Sequence, residues 1–206
     1  MHRVTYSKEG LIRFTSHLDL IRLWQRVFRR AGLLVRMSQG PLPLGMEGRG
    51  ELMDVALVAD QNLADAQQRL QSALPNGMRI EGFRPVPESR SSLCAAIDGA
   101  GYEVKLDREF TREAREKIAV AKSAPTIVSR RQTRKGVRYR DIKPLIKELE
   151  VEEDDDGEAR IRFAVRIGEG GNCNPHELLE AVLGWPEERI KKLHIVRTEL
   201  TSSEKF

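Results

Sequence analysis

Acid–base chemistry is the first kind of site that the sequence suggests, because a histidine and an aspartate stand two positions apart near the start of the chain. His17 and Asp19 follow Ser16. Residues two apart on a helix point in different directions, so this pair would not face one substrate. A serine followed three residues later by a carboxylate is typical of a helix N-terminus, where side chains satisfy free backbone N–H groups. We therefore predict that Asp19 caps a helix and that His17 is exposed.

Nucleophilic and phosphate-loop chemistry have weaker support in the sequence. Cys173 lies just before a predicted helix N-terminus, a position that lowers a thiol pKa, but no histidine partner can be assigned to it. With Cys94 it forms neither a disulfide framework nor a metal-ligand spacing. The glycines at 45, 48 and 50 lack the lysine and hydroxyl residue of a Walker loop. We predict an ordinary loop cysteine and a tight glycine turn.

Anion recognition has the strongest support. Arg22, Arg26 and Arg29 follow the spacing i, i+4, i+7 and form one helical stripe, with Arg30 beside them. A second basic group contains six cations and an aromatic residue: Arg130, Arg131, Arg134, Lys135, Arg138, Tyr139 and Arg140. Guanidinium forks match phosphate geometry, and a tyrosine ring can stack on an unpaired base. Both groups are predicted to bind nucleic acid, although solvated surfaces are the alternative.

An acidic run follows the basic group directly. Residues 122–147 contain nine basic side chains and one acidic one, whereas residues 148–158 contain eight acidic side chains and no basic one. The acidic run is a candidate internal counter-charge, and in that role it would lower the affinity of the basic group for a polyanion.

The elements that would position these side chains follow from hydrophobic periodicity. Apolar residues recur at helical spacing after Ser16, and Gly32 stands where such a helix ends. Asn62 and Asn174 begin two further helices as capping residues. Short apolar runs between the helices predict strands, so each half of the chain follows the order strand, helix, strand, strand, helix, strand.

This repeated order predicts an α+β protein made of two tandem ferredoxin-like (β-α-β-β-α-β) units with antiparallel sheets. We place the first unit at 1–87, a linker at 88–100 and the second unit at 101–206, with the basic hairpin 130–140 as an excursion. In such a unit both helices lie on one face of the sheet, which leaves the other face open to solvent or to a partner. One larger α+β domain is the alternative.

Composition limits the class of protein and its surroundings. The 206 residues are 40% hydrophobic and 32% charged, with a net charge of +4, as in globular proteins. No apolar run reaches the length of a membrane span, and the first residues resemble a strand rather than a signal peptide. We therefore expect a cytoplasmic protein that contacts no membrane and binds no cofactor or metal itself, while the oligomeric state stays open.

Several short motifs together resemble a bacterial family known as radical SAM-linked proteins, whose biochemical activity is not established. The resemblance is strongest in segments that include the residues Ser16, His17, Asp19, Ser38, Gln39, Gly40 and Gly45. The family pattern continues after Ser-Gln-Gly with a Phe-Asn-Pro segment and an apolar stretch before Pro-Leu-Pro-Leu-Gly. Here Gly40 is followed at once by Pro41, so the sequence leaves open whether that segment is truly absent.

The resemblance implies a partnership with a radical SAM enzyme. This chain has no Cys-x-x-x-Cys-x-x-Cys set, so it would act beside that enzyme without holding its cluster. We expect a non-catalytic RNA-binding accessory protein, with a role in RNA modification or processing suggested by fold analogy alone. A docking subunit that uses the 41–47 loop or the open sheet face, without RNA contact, is one alternative. A small enzyme that uses His17 with Ser38 or Gln39 is the other.

Overall fold

The computed structural model describes residues 1–57, 62–87, 92–133, 136–154, 158–168 and 171–202. Within these ranges the chain is a mixed α+β protein whose strands pair mostly antiparallel, and this confirms the predicted fold class at that level. The contacts divide the chain into a first unit, Met1–Ile97 together with the chain from Val196 onward, and a second unit, Asp98–Ile195.

The elements alternate between strands and helices through both units. Between Met1 and Ile97 the elements are β1 (His2–Lys8), a 3-10 helix (Gly10–Phe14), α1 (His17–Arg30), β2 (Val35–Gln39), β3 (Glu47–Leu57), α2 (Leu63–Ala73), β4 (Met78–Pro85) and α3 (Leu93–Ala96). The later elements are β5 (Gly99–Leu106), α4 (Arg108–Ser123), β6 (Val128–Thr133), β7 (Gly136–Asp141), a 3-10 turn (Lys143–Leu145), β8 (Ile146–Glu153), β9 (Ala159–Arg166), α5 (Pro175–Leu183), α6 (Glu187–Ile190) and β10 (Ile195–Thr201).

The sheet of the first unit is organised around β3, its longest strand. On one side β3 pairs antiparallel with β1, which in turn pairs antiparallel with β4. On the other side β3 pairs antiparallel with β2 through Met53–Leu57 and parallel with β10 through Glu47 and Gly48. The strand order β4-β1-β3-β2 leaves β10 as a fifth strand beside the start of β3.

Both long helices of the first unit cover the same face of this sheet. The apolar stripe of α1 buries Leu20, Trp24, Val27 and Phe28, because these residues recur at helical spacing. The Trp24 ring meets the ring of Tyr6 on β1 edge to face, with 4.9 Å between centroids. Side chains of α2 join the same apolar core, so one sheet face is fully covered by helices.

In the second unit β9 pairs antiparallel with both β5 and β8. Tyr102 and Phe163 stack across the first of these pairs at 5.1 Å between ring centroids. The Arg189 guanidinium lies 3.6 Å from the centroids of both the Phe110 and Trp185 rings. Strands β6 and β7 form a separate two-stranded sheet.

The observed division differs from the predicted domains at both boundaries. The predicted linker 88–100 contains the short helix α3 and the start of β5, while residues 88–91 lie outside the described ranges. The sequence-based division places the last strand in the second domain, whereas residues 196–202 group with the first unit. The physical reason is the parallel pairing of Val196 and Arg197 with the start of β3.

Candidate nucleic-acid interface

The basic excursion forms a regular hairpin of β6 and β7. Its six cross-strand pairs run from Val128 opposite Asp141 to Thr133 opposite Gly136. At the base of the hairpin the Asp141 carboxylate accepts hydrogen bonds from the backbone N–H groups of Ile127 and of Lys143, both at 3.0 Å. These bonds hold both strands together at the base of the hairpin, where the ribbon joins the rest of the unit. Arg134 and Lys135, two of the predicted binding residues, lie outside the described residues.

The register of the hairpin separates its side chains onto two faces, because directly opposed residues in an antiparallel pair point to the same side. We call one side the arginine face, defined by Arg131, Arg138 and Arg140. The other is the tyrosine face, defined by the opposed pair Arg130 and Tyr139 with Val128 and Val137.

The tyrosine face is open to solvent. Tyr139 is 70% exposed, and Val128 and Val137 are exposed as well. Every residue of β7 is exposed, so the strand contributes almost nothing to the core of the unit. The opposite face of β6 packs toward α5 and buries Ser129, so the exposed aromatic ring and valines lie on the side of the hairpin that has no packing role in the described structure.

The arginine face carries a like-charge pair. Arg131 and Arg138 stand directly opposite each other, an arrangement that destabilises an antiparallel pair. Arg131 has one carboxylate partner, Glu177, at 3.4 Å from its Nε atom. Arg140 donates to the backbone oxygen of Asn172 at 3.4 Å. In the described part of the chain no carboxylate lies within ion-pair distance of Arg138 or Arg140.

The acidic run is neutralised by cations that lie outside the hairpin, contrary to its expected role as counter-charge for the basic group. Five described carboxylates of residues 148–158 pair with Lys105, Arg115, Lys122, Arg160 and Arg162; these are Glu150, Glu152, Glu153, Asp154 and Glu158. Two of the pairs join α4 to β8 and one joins β9 to β8, because β8 carries glutamates whereas β9 carries arginines. Among the described residues, the acidic run therefore leaves the arginines of the hairpin available.

The helical stripe lies on α1 in the first unit. Arg22, Arg26, Arg29 and Arg30 are all exposed, as predicted from their spacing. Arg22 contacts the Asp19 carboxylate at 3.2 Å. The stripe and the hairpin belong to different units, so each is described as a basic group of its own unit.

The start of α1 confirms the capping prediction. The Ser16 hydroxyl accepts a hydrogen bond from the Asp19 backbone N–H at 3.2 Å and donates one to the Asp19 carboxylate at 2.7 Å. The bond from Ser16, followed by the charge of Arg22, lowers the pKa of Asp19. Asp19 thus closes the helix end through the serine hydroxyl, whereas we had expected it to reach backbone N–H groups.

The remaining motif residues lie around β2 and the loop after it. Gln39 Oε1 accepts from the Tyr6 hydroxyl at 3.4 Å. The backbone N–H of Gly45 donates to the Arg13 oxygen at 3.0 Å, and this bond ties the 41–47 loop to the 3-10 helix. His17 is half-buried rather than exposed, and among the described residues it makes no hydrogen bond to Ser38 or Gln39.

The first unit contains a buried ion pair that the sequence did not predict. Arg197 on β10 donates from its Nε atom to Glu51 Oε1 on β3 at 2.7 Å, and from its NH1 atom to the Pro41 oxygen at 3.1 Å. Lys8 is just as buried, and burial lowers the pKa of its ammonium group. Nothing local marks Glu51, because its partner lies 146 positions away. These charges hold strands and loops in place.

The two thiols differ sharply in their surroundings. Cys173 is 1% exposed, and burial raises the pKa of its thiol to about 12. That shift is opposite to the lowering expected at a helix N-terminus, so Cys173 is an inert core thiol. Cys94 is exposed.

Among the described residues no group of three or more His, Cys, Asp or Glu side chains lies together in a way that could hold a metal ion. None of the described helices is both long and apolar enough to cross a bilayer.

Comparison with known proteins gives the family but no activity. Residues 2–175 match the model of a family described as an uncharacterized protein conserved in bacteria, DUF2344, and the chain belongs to that family. No curated protein matches the chain. One similar solved structure is a crystal structure of a Cbf5-Nop10-Gar1 complex, at 13% identity and a TM-score of 0.46, covering 98% of this chain and 50% of that one. Another, a protein assigned as a glycine cleavage system transcriptional repressor, gives 11% identity and a TM-score of 0.27, with 98% of each chain covered.

Proposed function

We propose that this member of the uncharacterized bacterial family is a non-catalytic RNA-binding protein whose β6–β7 hairpin holds the phosphate backbone. The observation that carries the proposal is the opposed pair Arg131 and Arg138 on an exposed ribbon. Two like charges face each other there, and only one of them has a carboxylate partner among the described residues.

The physical argument is that this arrangement costs stability unless a polyanion is present. A two-stranded hairpin is marginally stable alone, and directly opposed like charges weaken it further. Phosphate groups would convert the repulsion into paired charge-assisted hydrogen bonds, which guanidinium forks form especially well. The neutralisation of the neighbouring acidic run by other cations supports the same assignment.

The proposal extends to fold and partner. We propose that the chain contains two tandem ferredoxin-like units, because the order of β1, α1, β2, β3 and α2 recurs in β5, α4, β8, β9 and α5 when the hairpin is set aside. Each series is followed along the chain by one further strand, β4 or β10. A radical SAM enzyme is the partner that would carry out the chemistry, as the motif resemblance implies. The RNA-processing role rests on fold analogy.

Salt-dependent RNA binding tests the proposal. The variant Arg131→Gln/Arg138→Gln/Arg140→Gln should bind a fluorescein-labelled oligouridylate more weakly than the unmodified chain. It should also reduce the slope of log K against log salt by about 2, because about 0.7 counterions are released per phosphate contact on a single strand. Fluorescence anisotropy at several salt concentrations measures both quantities.

The control is a second triple variant with the same change in net charge. Arg112, Arg166 and Lys192 are exposed cations of the same unit on other elements, so their replacement by Gln should leave most of the affinity intact. Equal losses in both triple variants would mean that total charge alone attracts the RNA. Unchanged binding in the hairpin variant would remove the hairpin from the function.

Docking onto the radical SAM enzyme is a second candidate function, favoured by one specific observation. Leu11, Phe14 and Leu44 are 87%, 58% and 60% exposed, and the 41–47 loop is tied to the 3-10 helix beside Phe14. Exposed apolar side chains gathered in this way are typical of interaction surfaces. The variant Phe14→Ser/Leu44→Ser should lose co-purification with the co-expressed enzyme after nuclease treatment. The hairpin variant should retain it, and the reverse result would reject this docking surface.

A further inference from the structure

We propose that the hairpin selects single-stranded RNA, with Tyr139 stacking on an unpaired base while Arg138 and Arg140 hold the flanking phosphates. This inference rests on the proposed function and concerns the same site. It specifies which form of RNA the hairpin binds, and it assigns base stacking to the tyrosine face and phosphate binding to the arginine face.

The first step is the alternation along β7. Arg138, Tyr139 and Arg140 are consecutive, so the two arginines point to one face and the tyrosine to the other. Among the described strands β7 pairs with β6 alone, and it is exposed along its whole length. A polynucleotide that runs along this strand therefore meets a cation, an aromatic ring and a second cation within three residues.

The second step is the chemistry of the tyrosine face. The Tyr139 ring is 70% exposed, and its direct cross-strand neighbour is Arg130, whose planar guanidinium can stack as well. Exposed Val128 and Val137 extend the face, and the Asp141 carboxylate at its base is occupied by backbone N–H groups. The centre of this face combines one cation with an exposed ring and exposed valines, so it suits the π-face of a base better than a phosphate.

The third step excludes a duplex. Bases in an A-form helix are paired and stacked, and the deep major groove is too narrow for side chains to read. A duplex could satisfy the arginine face through its phosphates, but it has no free base for Tyr139. Only a strand with unpaired bases can use both faces at once. Stacking also tolerates any base, so we expect little sequence preference.

The experiment compares two labelled probes on the full chain, a single-stranded oligouridylate of about 12 nucleotides and a duplex RNA of the same length. The single strand should bind about tenfold or more tightly than the duplex. Tyr139→Ala should weaken binding of the single strand by about 5- to 100-fold, the range expected for loss of one base-stacking contact. The same variant should leave duplex binding and the salt slope unchanged, because no phosphate contact is lost.

Two further variants keep the result interpretable. Tyr139→Phe preserves the ring and should bind the single strand like the unmodified chain. Val120→Ala removes another strongly exposed apolar side chain of the same unit and should have no effect. Circular dichroism and urea unfolding of each variant confirm that the fold is intact, as expected for an exposed side chain.

The possible outcomes distinguish a failure of the stacking inference from a failure of the proposed RNA-binding function. Equal binding of single strand and duplex, or unchanged single-strand binding in Tyr139→Ala, would overturn the stacking role. If the arginine variant still lost affinity and salt slope in that case, the hairpin would remain an RNA-binding element. If neither variant changed binding, both the inference and the proposed function would fail.

Discussion

Glu51 and Arg197 are almost completely withdrawn from water, at 1% and 3% exposure. Their attraction is strong in this setting, but either charge alone would be left buried without its direct hydrogen-bonded partner. Removing one member of a buried pair typically costs about 3–5 kcal/mol, whereas replacing both by apolar residues is often neutral. The pair also bonds the Pro41 oxygen, so it anchors the start of the 41–47 loop.

We predict that Arg197→Met lowers the free energy of unfolding by about 3–5 kcal/mol, and that Glu51→Leu/Arg197→Met recovers most of this loss. Urea denaturation of the two variants and the unmodified chain measures the effect. The exposed pair Lys191 and Glu187 serves as the control, because Lys191→Met should leave the urea midpoint unchanged. A small cost for Arg197→Met would mean that water reaches the Glu51 carboxylate.

The cysteines allow a test of burial at single residues. At pH 8, a thiol reagent such as 5,5′-dithiobis(2-nitrobenzoate) should modify Cys94 quickly, and Cys173 only after unfolding. Burial keeps Cys173 protonated, with a pKa raised to about 12, and the thiolate is the reactive form. Absorbance should report one fast thiol in the folded chain, and none in Cys94→Ser. A second fast thiol would contradict the buried environment of Cys173.

At the scale of elements, helix α1 depends on its first hydrogen bonds. Ser16→Ala removes both the acceptor for the Asp19 backbone N–H and the partner of the Asp19 carboxylate. We predict a loss of about 1 kcal/mol in the free energy of unfolding, with recovery in Ser16→Thr, which restores a capping hydroxyl. Thermal unfolding followed by circular dichroism measures it. Full stability in Ser16→Ala would assign the serine a role other than capping.

Helix α5 carries a pH-sensitive group near its start. Burial, followed by the charge of Lys191, lowers the pKa of His176 below its usual 6.5. As pH falls below 6.5 the unfolded chain binds a proton that the folded chain resists, so stability is lost with acidification. We predict that His176→Asn shows a smaller loss of unfolding free energy between pH 7 and pH 5 than the unmodified chain. Parallel pH dependences would show that His176 titrates alike in both states.

At the scale of the whole molecule, the sequence is a good guide where structure is decided by near neighbours. The caps at Ser16, Asn62 and Asn174 are confirmed, because a cap is set by residues two or three positions apart. The partner of the last strand was not predictable, because Arg197 and Glu51 are distant in sequence and no local pattern links them. The same holds for the acidic run, whose partners were fixed by strand pairing.

The returning strand makes the first unit depend on the end of the chain. We predict that a chain ending at residue 195 loses protection from hydrogen exchange in β3, because Glu51 would lose its only described salt-bridge partner and β3 would lose its parallel neighbour. Protection in β8 and β9 should be retained, because these two strands pair with each other and not with β10. Hydrogen exchange followed by mass spectrometry resolves the two regions, and unchanged exchange in β3 would contradict the prediction.

The position of Arg197 also sets an order of events during synthesis. A ribosome releases residues 98–195 before it releases the strand that neutralises Glu51, so the buried ion pair of the first unit can form only after nearly all of the second unit has been made. Nascent chains commonly fold from the N-terminus onward. Here the part made first should be finished last, and a chain stalled before Val196 should hold a first unit in which Glu51 still lacks Arg197.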